Sequence, residues 1–189
     1  MIRIGILGDI GSGKSFIANS FGYPVFNADQ EVSKLYKKDK NIFNKLNKKL
    51  PKYICTFPIN KNEITNAILI NNVNLKKIVN VVHFEIRKKL KLFLKKNRNK
   101  KIVILDIPLL LENKINNQND ILIFIDSKKV EIEKRLKKRV NFNRKLISKF
   151  KKIQFSSVYK KRKSNFIIRN NFEKKSLNKS IKTILNEIL

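Results

Sequence analysis

Residues 5–16 read GILGDIGSGKSF, an apolar run that ends in glycine and passes through two further glycines to a lysine and a serine. Residues 8–15 match G-x-x-x-x-G-K-[ST] without a gap. Before them, residues 2–7 (IRIGIL) have the apolar continuity of a buried strand; after them, residues 14–21 (KSFIANSF) have helical spacing, with Gly22 as the stop. Strand, loop and helix in that order make a phosphate cradle. Glycines adopt torsions that other residues avoid, and they let backbone N–H groups close around phosphate oxygens. The helix start adds its partial positive charge. Gly8, Gly11, Ser12, Gly13, Lys14, Ser15 and the adjoining Phe16 are therefore the expected nucleotide-contacting residues. Lys14 would reach the terminal phosphates of a nucleoside triphosphate, and the Ser15 hydroxyl would ligate Mg²⁺. A turn that merely joins strand to helix would not need both the lysine and the serine.

Outward from the loop, strand and helix patterns alternate. Residues 24–29 (PVFNAD) read as a second short strand leading into a helix from about Gln30. Residues 39–100 are lysine-rich and helix-compatible, apart from the turn-prone segment 50–60. Residues 101–108 (KIVILDIP) form an apolar central strand ended by Pro108, and 120–126 (DILIFID) form another, followed by an amphipathic helix over 127–139. Residues 164–170 read as a last strand and 173–189 as a closing helix with an i, i+3/i+4 apolar stripe. Near-continuous apolar strands between helices predict an α/β fold of three layers around a central parallel sheet of about five strands. No internal repeat or Gly/Ser/Pro linker divides the chain, so one domain is expected over residues 1–189, with a helical insertion at about 39–100 and a lid at about 140–160.

The 189 residues are 42% hydrophobic, which places the chain among globular proteins and outside the disordered class. No apolar run approaches the roughly 18–20 residues of a membrane span, so no membrane partner is expected. The start MIRIGILGD enters a strand pattern directly, without the features of a signal peptide, and Cys55 is the single cysteine. Both point to a reducing, cytoplasmic location. Lys and Arg number 44 against 14 Asp and Glu, for a net charge of +30. Such a balance suits a nucleic-acid or polyphosphate partner. The lysines, however, are spread along the whole chain, and its wealth of Lys, Asn, Ile and Phe without Trp is what an A/T-rich coding sequence produces. No specific nucleic-acid partner is expected, although the field would draw anionic substrates.

Five further residues or groups of residues are candidates for chemistry, each with two readings. Asp29 closes the second strand and could accept a proton from an attacking hydroxyl, or it could cap the next helix. Asp106 ends IVILD like a Walker B acid that holds the Mg²⁺ shell, or it caps the strand end. Glu112, the only acid in IPLLLEN, lines a pocket or lies on the surface. His83, the only histidine, has Arg87 one helical turn on; a lone histidine on a helix more often packs than reacts. Arg135, Arg139 and Arg144 could form a phosphate-clamping lid or an ordinary basic helix face.

Taken together, these segments resemble the dephospho-CoA kinase family along nearly the whole chain. GILGDIGSGKS resembles its phosphate loop, and GYPVFNAD its G-x-P-V-x-D-A-D. VVHFEIRKKL resembles its H-P-x-[IV]-R, VILDIPLLLEN its V-x-D-[IV]-P-L-L-[FI]-E, and SNFIIRNN its A-D-x-V-I-x-N. The resemblance implies transfer of the ATP γ-phosphoryl group, with Mg²⁺, to the ribose 3′-hydroxyl of dephospho-CoA. It implies Asp29 as base or orienting group, and the other catalytic residue expected is Lys14, which would stabilise the developing charge. It implies Arg139 and Asn170 near the nucleotide, Gln154 in the lid, and His83, Arg87, Pro108, Leu109 and Glu112 on the acceptor side. Ser15 and Asp106 would hold the metal. A monomer is expected, with an oligomer as the alternative.

Several positions depart from the family pattern. Asn27 replaces the first Asp of D-A-D, Phe84 the proline after the histidine, and Asp9 a glycine of the loop. Ser33, Asn66 and Lys149 stand where arginines are usual; lysine cannot make the bidentate contact of an arginine. Two rival readings are a nucleoside monophosphate-type kinase and a basic nucleic-acid-binding protein with a vestigial phosphate loop.

Overall fold

The computed structural model describes residues 1–139 and 142–189, with only the backbone of Lys174. Residues 140 and 141, the first two of the expected lid, lie outside the described residues. The chain divides into two compact units, one of Met1–Asn27, Lys96–Phe142 and Ile153–Leu189, the other of Ala28–Lys95 and Asn143–Lys152.

The first unit is built on a parallel sheet. Its strands are β1 (Ile2–Gly8), β2 (Val25–Asn27), β3 (Ile102–Asp106), β4 (Ile121–Asp126) and β5 (Phe166–Arg169), in the order β2-β3-β1-β4-β5. All four pairings are parallel, as the apolar strands predict. Side chains alternate between the faces. Ile4, Ile6, Ile102, Ile104, Ile123, Ile125 and Ile168 point to one face, where helices α1 (Lys14–Ser20) and α9 (Lys174–Ile188) bury them with Ile17, Ala18, Phe21, Leu177, Ile181 and Ile184. Val103, Leu105, Leu122 and Phe124 are buried on the other face. Helix α8 (Ser157–Lys163) packs there against β1 and β4, and Lys161 lies 5.6 Å from the Phe124 ring centre. Helix α6 (Lys129–Lys137) follows β4. Gly5 sits mid-strand because the chain after β3 passes close above it. A Cβ there would lie 2.6 Å from Leu110 Cδ2 and 2.9 Å from Leu122 Cδ2.

The second unit is helical: α2 (Ala28–Lys38), α3 (Lys40–Lys49), α4 (Lys61–Ile70), α5 (Asn72–Lys96) and α7 (Arg144–Lys152). Asp39 caps α3 by accepting from the Asn41 and Ile42 amides, and Asn60 caps α4 through the Asn62 amide. Helix α7 packs on α4, with Lys149 Nζ 3.3 Å from Asn72 Oδ1.

One boundary differs from the sequence expectation in a way that bears on the chemistry. The second strand stops at Asn27 and the helix begins at Ala28, two residues before Gln30. Asp29 therefore lies in the first turn of α2, not at the end of β2. Alanine is the strongest helix former, Ala28 is buried, and a carboxylate is favourable in a first helical turn.

Candidate active site

The phosphate loop leaves the carboxyl end of β1, the central strand, where its neighbours β3 and β4 lie on either side. Open parallel sheets bind ligands at such an edge. Gly11 and Gly13 both have φ of 91°, a conformation costly for any residue with a Cβ. A Cβ on Gly13 would also stand 2.7 Å from Asn170 Nδ2, and one on Gly11 3.0 Å from Leu136 Cγ. Gly13 is the cap of α1 and makes no side-chain cap hydrogen bond, and a helix start of this kind favours an anion. Lys14 turns back across the loop, its Nζ donating to the carbonyls of Gly8 (3.1 Å) and Asp9 (2.8 Å). Ser15 and Phe16 face outward at the helix start.

A second set of residues holds the loop from behind. The Ser12 carbonyl accepts from Ser127 Oγ at 3.0 Å and from Asn170 Nδ2 at 2.9 Å. Asn170 is buried, its amide N–H donates to the Asp126 carbonyl, and its Oδ1 accepts from the Phe172 amide. Phe172 takes a φ of 66° and stacks beneath Arg135, whose guanidinium carbon lies 4.3 Å from the ring centre. Arg139 is exposed just beyond α6. Asp126, Ser127, Arg169, Asn170 and Ser176 line a cleft of about 740 Å³ at the carboxyl ends of β4 and β5.

Asp106 ends β3 and is 3% exposed. Its Oδ2 accepts from Asn27 Nδ2 at 2.6 Å, since the parallel register sets the two residues side by side. The amide at Asn27 thus orients the carboxylate, where a second carboxylate would repel it. The chain then turns sharply. Leu109 has a φ of 61°, and its carbonyl accepts from both the amide and the side chain of Asn113. Left-handed backbone at a leucine is strained and is a mark of sites whose shape matters. Pro108 and Leu109 are half-buried on this turn.

Glu112 sits at the end of the same turn, with its side chain 9% exposed. Its Oε1 lies 3.2 Å from Lys160 Nζ and accepts from the Phe155 amide at 2.8 Å. Lys160 is itself 3% exposed and reaches Gln154 Oε1 at 3.5 Å. This ion pair fastens α8 to the segment after β3. Asp9 makes a comparable connection from the loop, its Oδ1 accepting from Ser157 Oγ at 2.7 Å.

The remaining candidates belong to the helical unit. Asp29 is exposed in the first turn of α2. His83 is half-buried and Arg87 exposed on α5. Burial, with a smaller contribution from the Arg87 charge, lowers the His83 pKa below its ordinary 6.5, so the imidazole is neutral near pH 7. Within the sheet unit, the structure gathers Gly8 to Phe16 at the carboxyl edge with Asn170 behind the loop, while Asp106 closes the neighbouring strand. Sequence reasoning did not single out Ser127, Ser157 or Lys160. Each acts through a partner more than forty residues away in sequence, and a lysine within KKRK carries no local sign of burial.

A sequence profile described as dephospho-CoA kinase matches residues 2–176. The chain is 32% identical over 190 residues to the dephospho-CoA kinase of Wolbachia pipientis, covering 98% of this chain and 97% of that protein. It is 33% identical over 192 residues to that of Rickettsia prowazekii, covering 100% and 98%. Among solved structures, a dephospho-CoA kinase from Campylobacter jejuni superposes with a TM-score of 0.64 at 22% identity, over 98% of this chain and 96% of the other; that likeness establishes the fold of a phosphate-loop kinase. With a profile match over residues 2–176 and relatives above 30% identity, the chain belongs to the dephospho-CoA kinase family.

Proposed function

We propose that this chain transfers the γ-phosphoryl group of ATP to the ribose 3′-hydroxyl of dephospho-CoA, giving CoA and ADP. The observation that carries the proposal is the intact GDIGSGKS loop at the carboxyl end of β1, with the Asp106 carboxylate ending the adjacent β3, in a member of this family.

Phosphoryl transfer asks for positioning and charge stabilisation more than for covalent chemistry. The Gly8 to Ser15 backbone cradles the phosphates, and the cleft beside Asn170 has the size of a nucleotide site. Lys14 stabilises charge on the transferring group, and Arg139 closes on the nucleotide. Asp29 takes the proton of the 3′-hydroxyl as its oxygen bonds to the γ-phosphorus and the bond to the ADP oxygen breaks. His83, Arg87, Pro108 and Leu109 hold the acceptor. Glu112 supports that region from its bond with Lys160.

Ser15 and Asp106 offer one hydroxyl and one carboxylate oxygen, and no group of three or more His, Cys, Asp or Glu that could hold a metal occurs among the described residues. That sparse oxygen set suits Mg²⁺, which takes few protein ligands and fills its shell with phosphate oxygens and water. Bound there, the ion would neutralise phosphate charge. No described helix is long and apolar enough to cross a membrane. We read the chain as a monomer acting in the cytoplasm.

The test is an assay with purified protein, Mg²⁺-ATP and dephospho-CoA that follows ADP and identifies CoA by mass. Stoichiometric CoA is expected. ATP binding without CoA would move the search to other hydroxyl acceptors.

A further inference from the structure

Asp9 is the one acid within the phosphate loop. A carboxylate there works against the phosphates by simple Coulomb repulsion. Its contacts show what it engages instead. Oδ1 accepts the hydroxyl of Ser157 at 2.7 Å, 148 residues further along the chain. The main-chain carbonyl of the same residue accepts from Lys14 Nζ at 2.8 Å and from the Ser12 amide at 3.1 Å. Side chain and main chain of Asp9 thus join Ser157 to the ammonium that serves the phosphates.

Ser157 is well placed to act as an anchor. It is the first residue of α8, whose start is fixed by the Ser156 hydroxyl accepting from the Tyr159 amide at 3.2 Å. Two residues earlier, the Phe155 amide is held by Glu112, which also pairs with the buried Lys160. One turn on, Lys161 Nζ lies 2.7 Å from Asp126 Oδ2 at the end of β4. Helix α8 is therefore tied to three carboxylates, at the ends of β1 and β4 and on the segment after β3. We propose that Ser157 is a positioning residue for phosphoryl transfer: its hydroxyl holds Asp9, so that the Asp9 carbonyl fixes the Lys14 ammonium across the loop.

This inference rests on the ATP-dependent transfer proposed above, and ATP binding provides a readout that does not need the acceptor. In the full-length chain, Ser157→Ala should lower kcat about five- to tenfold and weaken ATP binding about threefold, as for loss of a charge-assisted hydrogen bond partly replaced by water. The KM for dephospho-CoA should stay within about twofold, which a general loss of structure would not permit. Asp9→Ala should slow turnover similarly, and the double variant should lose no more than the worse single, since both changes break one bond. Asp9→Asn keeps an oxygen for the Ser157 hydroxyl and removes the charge. It should recover most of kcat and bind ATP more tightly than the natural chain.

An unchanged kcat and ATP affinity in Ser157→Ala would overturn the inference, as would single losses that multiply in the double variant. Should the natural chain bind ATP yet make no CoA, the functional reading fails on its own. The calorimetric ATP affinities of the same four variants would then still decide the role of Ser157.

Discussion

Asp29 and Glu112 are both acids on candidate site segments, and their surroundings separate them. Asp29 is exposed in the first turn of α2. If it takes the acceptor proton, Asp29→Asn should cut kcat by about 10²- to 10⁴-fold with ATP affinity unchanged. Pre-steady-state phosphoryl transfer and calorimetry would read the two effects separately. A full-speed variant would leave Asp29 a helix-start charge worth about 0.3–1 kcal/mol. Glu112 is enclosed with Lys160, at side-chain exposures of 9% and 4%. Breaking a buried pair strands the other charge, so Glu112→Gln should destabilise the fold by about 3–5 kcal/mol in urea unfolding. Replacing both partners with Leu and Met should restore much of that loss. A stable Glu112→Gln protein with a raised acceptor KM would instead make the residue a substrate contact.

Among the elements, legibility followed locality. The loop could be read because its strand, glycines, lysine and helix lie within twenty residues. Strand β3 could be read because five consecutive apolar or terminal positions, Ile102 to Asp106, are all buried on both faces. The start of α2 is hard to read because PVFNAD has strand-like residues up to Asn27, whereas the helix begins at the buried Ala28. The ties of α8 to Asp9 and Glu112 were not legible, since they depend on which strand ends the sheet brings side by side. Helix α5 carries a consequence of its own. The unfolded chain protonates His83 near 6.5, and the folded chain does so only at lower pH. Between those values the unfolded state binds more protons, so stability is full above about pH 6.5 and falls as the pH drops through the folded pKa. Thermal midpoints taken from about pH 7 to about pH 5.5 should decline, and His83→Asn should flatten that slope. An identical slope in the variant would assign the decline to other groups.

On the scale of the whole molecule, the net charge of +30 acts in two opposed ways. Like charges at the surface repel in the compact state more than in the expanded one, so the charge lowers stability. The same field draws in a polyanionic nucleotide and raises its encounter rate. Salt screens both, because the Debye length falls from about 30 Å at 0.01 M to about 8 Å at 0.15 M. The ion pairs that favour the fold are mostly exposed, such as Lys34 with Glu31 and Lys134 with Glu131, and each contributes under about 1 kcal/mol. Repulsion should therefore outweigh them, and the melting temperature should rise over that salt range. Over the same range the KM for ATP should also rise, as steering is lost. The two slopes distinguish a diffuse field from the local site. Lys14→Ala removes one charge of many, so it should keep the salt dependence of ATP association while losing turnover. If instead Lys14→Ala abolishes the salt dependence, the attraction resides in the loop itself and the remaining lysines play no part in capturing the nucleotide.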